Sequence, residues 1–117
     1  MVNKQYKLFV DDERWPVDPD WVIARSPMQA QMAIEHYGMP VCMCLDHDLG
    51  TDGNRALTTM EFLHWLEARI VDGTYEFPEG FSYFVHSQNP VGVRNIKGLL
   101  DNLMAKYGLL PSTFLRK

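Results

Sequence analysis

Three clusters of polar residues in this 117-residue chain each follow a short apolar run, and all three carry groups that can do chemistry. The clusters are Asp11–Arg14, Asp46–Asp48 and His86–Asn89. Carboxylates that lie close together repel one another, which raises the pKa of one of them or requires a cation between them. Hard oxygen ligands of this kind suit Mg²⁺ or Mn²⁺. We therefore predict a Mg²⁺ or Mn²⁺ site formed by the carboxylates of the first two clusters, Asp11, Asp12, Asp46 and Asp48.

The third cluster has the groups that would hold a phosphate beside this metal. Asn89-Pro90 is typical of a helix N-cap followed by the first helical residue, so free backbone N–H groups would point toward the metal. Serine and arginine side chains donate hydrogen bonds to phosphoryl oxygens. We predict four phosphate-binding residues, Ser87, Asn89, Arg14 and Arg94. The predicted catalytic residues are His86 and His47, which titrate near neutral pH and can transfer protons, and Asp46.

The apolar runs before the clusters predict the strands that would position them. Val41–Asp46 is apolar along most of its length, which is typical of a strand buried on both faces in the middle of a parallel sheet. Tyr6–Val10 and Phe81–His86 are predicted as further strands, and Trp21–Ala24 as a fourth. The carboxyl ends of parallel strands share one edge of the sheet, where open α/β proteins bind ligands. We therefore expect the three clusters to meet there.

Three helices are predicted from the 3.6-residue periodicity of the apolar positions. The first spans Pro27–Tyr37 behind an N-cap at Ser26, and the others span about Ala56–Val71 and Val91–Tyr107. The segment between Asp46 and the second helix is expected to be a loop. The periodicity predicts core-facing side chains at Ala30, Ala33, Ile34, Tyr37, Thr59, Phe62, Leu63, Leu66, Ile70, Ile96, Leu99, Leu100, Leu103 and Tyr107, with Met28 and Met32 as core filler.

The order of these elements predicts a small three-layer α/β sandwich with a mostly parallel sheet of four or five strands. Pro16 and Pro19 prevent a regular helix between the first two strands, so the first helix is missing or replaced by a loop. Residues 109–117 are expected to add a short last strand or to pack on the sheet. With no repeat or linker, residues 1–117 are expected to form a single domain.

The composition narrows the classes of ligand and location. The formal net charge of −4 argues against an extended nucleic-acid-binding surface but leaves room for a single nucleotide or RNA-end phosphate. No apolar run approaches the roughly 20 residues of a membrane span, and no signal peptide precedes the first strand, so we expect a cytoplasmic protein with no membrane contact. Cys42 and Cys44 lie two apart on one strand face and are expected to be reduced core residues.

Taken together, three motifs resemble a known family. Asp11-Asp12-Glu13-Arg14-Trp15-Pro16, Asp46-His47-Asp48-Leu49-Gly50 and His86-Ser87-Gln88-Asn89-Pro90 are similar to motifs of the receiver-like domains proposed to process cyclic phosphates, and the resemblance spans about residues 7–107. The chain is more distantly similar to response-regulator receivers. The resemblance implies a receiver-like, flavodoxin-like fold. It departs from response regulators because no lysine ends an apolar fifth strand, where those receivers hold the phosphoryl group.

These observations favour a metal-assisted phosphoesterase that acts on a cyclic phosphate, such as a 2′,3′-cyclic RNA end or a cyclic nucleotide. A first alternative is a receiver-like module without enzymatic activity, in which Asp46 accepts a phosphoryl group or the pocket senses a phosphorylated ligand. A second alternative is a regulator that binds another protein and retains a vestigial pocket.

Overall fold

The computed structural model describes residues 5–108, and within them six strands and three helices follow one another along the chain. The strands are β1 (Lys7–Val10), β2 (Trp21–Ala24), β3 (Cys42–Leu45), β4 (Asp48–Asp52), β5 (Arg55–Thr58) and β6 (Ser82–Val85). The helices are α1 (Pro27–Tyr37), α2 (Thr59–Val71) and α3 (Pro90–Tyr107). The predicted tail, residues 109–117, lies outside the described residues.

Four parallel strands form the main sheet, in the order β2-β1-β3-β6. These are the four strands predicted from the sequence, with ends that differ by at most one residue. Their register places Val10 beside Ala24 on one side and Leu45 on the other, and Leu45 beside Val85. The receiver-like α/β fold is confirmed, and the first helix is replaced by a loop as predicted, because residues 11–20 connect β1 and β2 without a helix.

All three helices pack on the same face of this sheet. One buried cluster contains Leu8 and Val10 of β1, Met43 and Leu45 of β3, and buried apolar side chains from every helix. The residues that alternate with them, such as Phe9 and Cys44, point to the opposite face and are not part of that cluster. The described residues therefore form two of the three predicted layers, because the loop of residues 11–20 stands where a helix between β1 and β2 would cover the second face.

A β-hairpin occupies the segment that was predicted to be a loop. Strands β4 and β5 pair in antiparallel fashion, with Asp52 opposite Arg55 around a two-residue turn at Gly53-Asn54. Gly53 has a φ of 63°, which glycine adopts without strain and which such turns require. The helix predicted from Ala56 therefore begins only at Thr59.

The predicted core is confirmed for most positions and wrong for a few at helix margins. The predicted side chains of α2 are buried, as are Ala30, Ala33 and Ile34 of α1. The exposed exceptions are Met28, Met32, Tyr37 and Tyr107. All four lie on the margins of α1 and α3, where the apolar stripe passes out of the buried cluster. No helix among residues 5–108 is both long and apolar enough to cross a membrane.

Candidate metal and phosphate site

Four residues form a row along the carboxyl edge of the sheet, one after each parallel strand. Because Ala24, Val10, Leu45 and Val85 are in register, the next residues, Arg25, Asp11, Asp46 and His86, lie side by side. Backbone hydrogen bonds extend the sheet through this row, from Asp11 N to Ala24 O (3.1 Å), Asp46 N to Val10 O (2.9 Å) and His86 N to Leu45 O (2.9 Å). The sheet itself thus fixes the spacing of these side chains.

Three of the four predicted metal ligands come together at this edge of the sheet. Carboxylate oxygens of Asp11, Asp12 and Asp46 all lie within 4.8 Å of one another. Asp11 is fully buried and the other two are half-buried. The fourth, Asp48, is exposed and outside this group, and its Oδ1 lies 3.0 Å from Nδ1 of His47. The acidic cluster is therefore Asp11, Asp12 and Asp46.

Asp11 is held as a carboxylate by the hydrogen bonds around it. Burial acts to raise its pKa, but backbone N–H groups of Arg14 and Glu13 donate to its Oδ1 at 2.9 Å each, and His86 binds its Oδ2. Together these bonds outweigh burial and lower the pKa of Asp11 below its ordinary value. Asp11 is therefore charged over the physiological pH range.

Asp46 is in the opposite situation. Burial and then the negative charge of Asp11 raise the pKa of Asp46, against smaller lowering effects that include the charge of Arg14. Two ionised carboxylates this close together favour a cation between them. Asp12 adds a third oxygen donor to the same space. This donor set, all oxygen and partly open to solvent, fits Mg²⁺ or Mn²⁺.

His86 lies against this cluster with both ring nitrogens engaged. Its Nε2 is 2.7 Å from Oδ2 of Asp11, and its Nδ1 is 3.0 Å from Sγ of Cys44. The ring stacks on Phe9, with ring centroids 5.1 Å apart and an angle of 16° between the planes. An ionised Asp11 only accepts hydrogen bonds, so Nε2 carries a proton, while Nδ1 lies within hydrogen-bond distance of the thiol. The ring of the predicted proton-transfer residue is thus fixed in one orientation.

The side chain of His47 is not part of the acidic cluster. Its ring is buried, binds Asp48 through Nδ1 and packs against the first turn of α3. A Cβ added to Gly92 would lie 2.4 Å from Cγ of His47, so only glycine leaves room for the ring. The amide Nδ2 of Asn89 lies 3.5 Å from both carboxylate oxygens of Asp48. His47 and Asp48 therefore connect the end of β3 to the start of α3.

The predicted phosphate-binding residues surround the start of α3 and the loop after β1. Asn89 is the N-cap that was predicted, because its side chain accepts from Gly92 N at 3.0 Å. Ser87 Oγ accepts from Asn89 N at 3.1 Å and retains its own hydroxyl hydrogen. Arg14 is exposed beside Asp11, and Arg94 is exposed near the start of α3. The roles of these four residues stay predictions.

Some residues of the site were missed in the sequence. The guanidinium of Arg25 donates to the backbone oxygens of Asp11 (3.1 Å) and Arg14 (2.5 Å). Thr59 donates from its hydroxyl to the backbone oxygen of Asp46. Both follow strands in the way that the recognised clusters do, but each stands as a single residue. Cys44 was expected to be only a core residue. It contacts His86 because side chains alternate along β3, which places Cys44 on the same face of the sheet as His86.

A parallel α/β sheet with three carboxylates at its carboxyl edge and no helix after its first strand defines a receiver-like domain of unusual type. The family model of the cyclic-phosphate processing receiver domain matches residues 6–102. The chain therefore belongs to the family of cyclic-phosphate processing receiver domains, which links it in general terms to cyclic-phosphate processing. No curated protein and no solved structure shows significant similarity to it.

Proposed function

We propose that this domain is a metal-assisted phosphoesterase that opens cyclic phosphates by hydrolysis. The observation that carries the proposal is the acidic cluster, whose three carboxylates lie within 4.8 Å of one another and contact His86 through Asp11. Family membership supports a cyclic phosphate as the substrate class. A 2′,3′-cyclic RNA end or a cyclic nucleotide is the chemical form that we expect.

Asp11, Asp12 and Asp46 would hold Mg²⁺ or Mn²⁺. When bound, the cation supplies Lewis-acid polarisation of a phosphoryl oxygen and lowers the pKa of a bound water. The backbone N–H groups of Glu13 and Arg14 keep Asp11 ionised and oriented for this task. The pKa of Asp46 would fall once a bound cation offsets the charge of Asp11.

His86 is the residue that we propose moves the proton. Hydrolysis adds one water to phosphorus, breaks one P–O ester bond and leaves a phosphomonoester and a ribose hydroxyl. His86 would act as an imidazolium: its Nε2–H would pass from Asp11 to the leaving ribose oxygen, and the neutral ring would then take a proton from the attacking water, so that protons balance over the cycle. The thiol of Cys44 and the ring of Phe9 support this role, because they hold the imidazole in place from two sides.

The start of α3 is the proposed phosphate-binding element. Ser87 can turn its hydroxyl hydrogen toward a phosphoryl oxygen, because the hydrogen bond from Asn89 N occupies only a lone pair of Ser87 Oγ. Oδ1 of Asn89 caps the helix, so Asn89 would donate a hydrogen bond to the phosphate from Nδ2. The exposed Arg14 and Arg94 would add positive charge at either side. His47 and Asp48 would position this helix start rather than react.

The test is hydrolysis of nucleoside 2′,3′-cyclic phosphates followed by ³¹P NMR, with Mg²⁺, with Mn²⁺ and with chelator. We expect turnover only with metal, and a loss of about 10²-fold or more in His86→Ala. His64→Ala is the matched control, because His64 is an exposed histidine on α2 that pairs with Glu67. No turnover of any cyclic phosphate by folded protein with either metal would refute the proposal.

The two alternatives give different results in simple assays. A phosphoacceptor would form an aspartyl phosphate at Asp46 when treated with a small phosphodonor, which mass spectrometry detects. The lysines among residues 5–108 argue against it, because Lys7 begins β1 at the opposite edge of the sheet and Lys97 and Lys106 lie within α3. A regulator with a vestigial pocket would keep its cellular activity in an Asp46→Ala, His86→Ala double variant.

A further inference from the structure

We propose that Trp15 and Arg25 form a stacking platform for the base of a nucleotide whose phosphate lies at the start of α3, beside the acidic cluster. The preferred substrate is then a nucleotide or a nucleotide end, and not a cyclic phosphate that lacks a base. This proposal rests on the proposed function of the same site and adds the part of the ligand that the carboxylates and His86 cannot recognise.

Trp15 has an unusual environment for a tryptophan. It lies in the loop after β1 and is 75% exposed, whereas tryptophan is highly buried on average. The guanidinium carbon of Arg25 lies 4.6 Å from the centre of its ring. Because Arg25 covers one face and most of the side chain remains exposed, the other face of the indole is open to a planar ligand.

Arg25 is fixed in position from both ends. Its guanidinium donates to the backbone oxygens of Asp11 and Arg14, and its backbone N donates to Oε1 of Gln29 at 2.7 Å. One of those oxygens belongs to Asp11, whose carboxylate is part of the acidic cluster. The indole of Trp15, three positions after Asp12 in the chain, is therefore held against Arg25. Arg25 is itself hydrogen-bonded to the backbone of Asp11, a residue of the acidic cluster.

This arrangement suits a nucleobase better than it suits a phosphate or a sugar. Every base has a π face that stacks on an aromatic side chain, and an arginine on the far side of the ring adds a cation–π contribution. Neither the phosphate nor the ribose can use the open indole face in this way. Stacking does not read base edges, so the platform predicts binding of all four bases with little preference.

A competing place for the base is a cavity between α1 and the β4–β5 hairpin. It has a volume of about 340 Å³ and is lined by residues that include Met28, Arg55 and Phe62. Arg55 is already paired with Glu61 at 3.0 Å. Met28 is 69% exposed, so Met28→Ala alters this cavity without affecting the core and serves as the matched control for the platform.

The experiment measures binding without turnover. Its two probes are phosphomonoesters of the kind formed when a 2′,3′-cyclic phosphate is hydrolysed. Calorimetry in Mg²⁺ would compare a nucleoside 3′-monophosphate with a 1-O-methylribose 3-phosphate, which has no base. We expect the nucleotide to bind at least about fivefold more tightly, as stacking on an aromatic side chain implies. Trp15→Ala should abolish that difference, Trp15→Phe should keep most of it, and Met28→Ala should not change it.

Three results would overturn the platform: equal or undetectable binding of both probes to the native protein, an undiminished difference in folded Trp15→Ala, or loss of the difference in Met28→Ala instead. Equal binding would leave Trp15 and the fully exposed Val17 as an apolar surface for a protein partner. Failure of the proposed function looks different. Base-selective binding through Trp15 in a protein that hydrolyses no cyclic phosphate would retain the platform and reject the phosphoesterase.

Discussion

His86 reaches the carboxylate of Asp11 across the intervening strand β3, with Nε2 2.7 Å from Oδ2, although 75 positions separate the two residues in the chain. The contact exists because β1 and β6 both pair with β3 and all three end at the same level. It joins the buried ligand of the acidic cluster to the proposed proton donor. A change at either residue should therefore be detected at the other.

Asp11→Asn should destabilise the metal-free protein at neutral pH. The pKa of Asp11 is lower in the folded chain than its ordinary value of 3.8, so its stabilising contribution is present above that value and is lost as the pH falls through the folded pKa. We expect a loss of about 1–3 kcal/mol in the free energy of unfolding at pH 7, because a buried charged hydrogen bond is removed. Urea unfolding with chelator at pH 7 and pH 3 measures it, and the loss should shrink at pH 3.

Asp46→Asn should have the opposite effect under the same conditions. The pKa of Asp46 is raised by burial and by Asp11, so the folded state loses stability as the pH rises from 3.8 through the folded pKa of Asp46. Asparagine cannot ionise, so the variant should be at least as stable as the native protein at pH 7. Equal destabilisation by both substitutions would contradict the opposed electrostatic environments of the two carboxylates.

Cys44 should control the orientation of His86. Burial, and then the charges of Cys42 and Asp11, raise the pKa of the Cys44 thiol to about 11, so at neutral pH it is a thiol that can donate to Nδ1. A neutral hydrogen bond contributes about 0.5–1.5 kcal/mol, so Cys44→Ala should lower activity by roughly two- to tenfold.

The readout that separates this role from general packing is the ¹⁵N NMR spectrum of the His86 ring. The native protein should show the Nε2–H tautomer, Cys44→Ser should preserve it, and Cys44→Ala should broaden or shift it. Cys42→Ala, on the same face of β3, is the control and should leave the ring unchanged. A His86 spectrum that is identical in all of these proteins would remove Cys44 from the site.

Gly92→Ala should disturb the packing between β3 and α3. The added Cβ would lie 2.4 Å from the ring of His47, and overpacking of this kind costs about 1–3 kcal/mol. Gly98, in the same helix, has open space around it, so Gly98→Ala should stabilise the protein by about 0.5–1 kcal/mol. Thermal unfolding of the two variants gives opposite signs if His47 holds the helix start, and two stabilising changes would exclude it.

Much of the fold followed from local patterns. The parallel strands, the bounds of α1 and the core face of α2 were predictable because apolar periodicity and the Ser26-Pro27 start specify them directly. The β4–β5 hairpin was missed although Gly53-Asn54 is a two-residue turn signal, because its exposed strands lack an alternating apolar pattern. The exposed α1 methionines were misjudged because the apolar pattern of a helix does not show how far the buried cluster extends around its margin.

The candidate site was predictable in part for a similar reason. Residues after parallel strands were expected at one edge, which brought Asp11, Asp46 and His86 together correctly. Residue spacing alone does not determine two further contacts. The orientation of Asp48 toward His47 depends on a local turn, and the contact of Cys44 with His86 depends on packing between side chains 42 positions apart. Arg25 was overlooked because a single arginine after an edge strand forms no recognisable cluster.

The most direct measurement is a Mn²⁺ titration of the native protein, Asp46→Asn and Asp48→Asn, followed by electron paramagnetic resonance of the free ion. Asp46 lies in the acidic cluster and Asp48 does not, so the two substitutions remove the same charge at different places. We expect one Mn²⁺ site in the native protein, at least tenfold weaker binding in Asp46→Asn, and near-native binding in Asp48→Asn. No saturable site in the native protein, or equal weakening by both substitutions, would contradict a metal centre built from Asp11, Asp12 and Asp46.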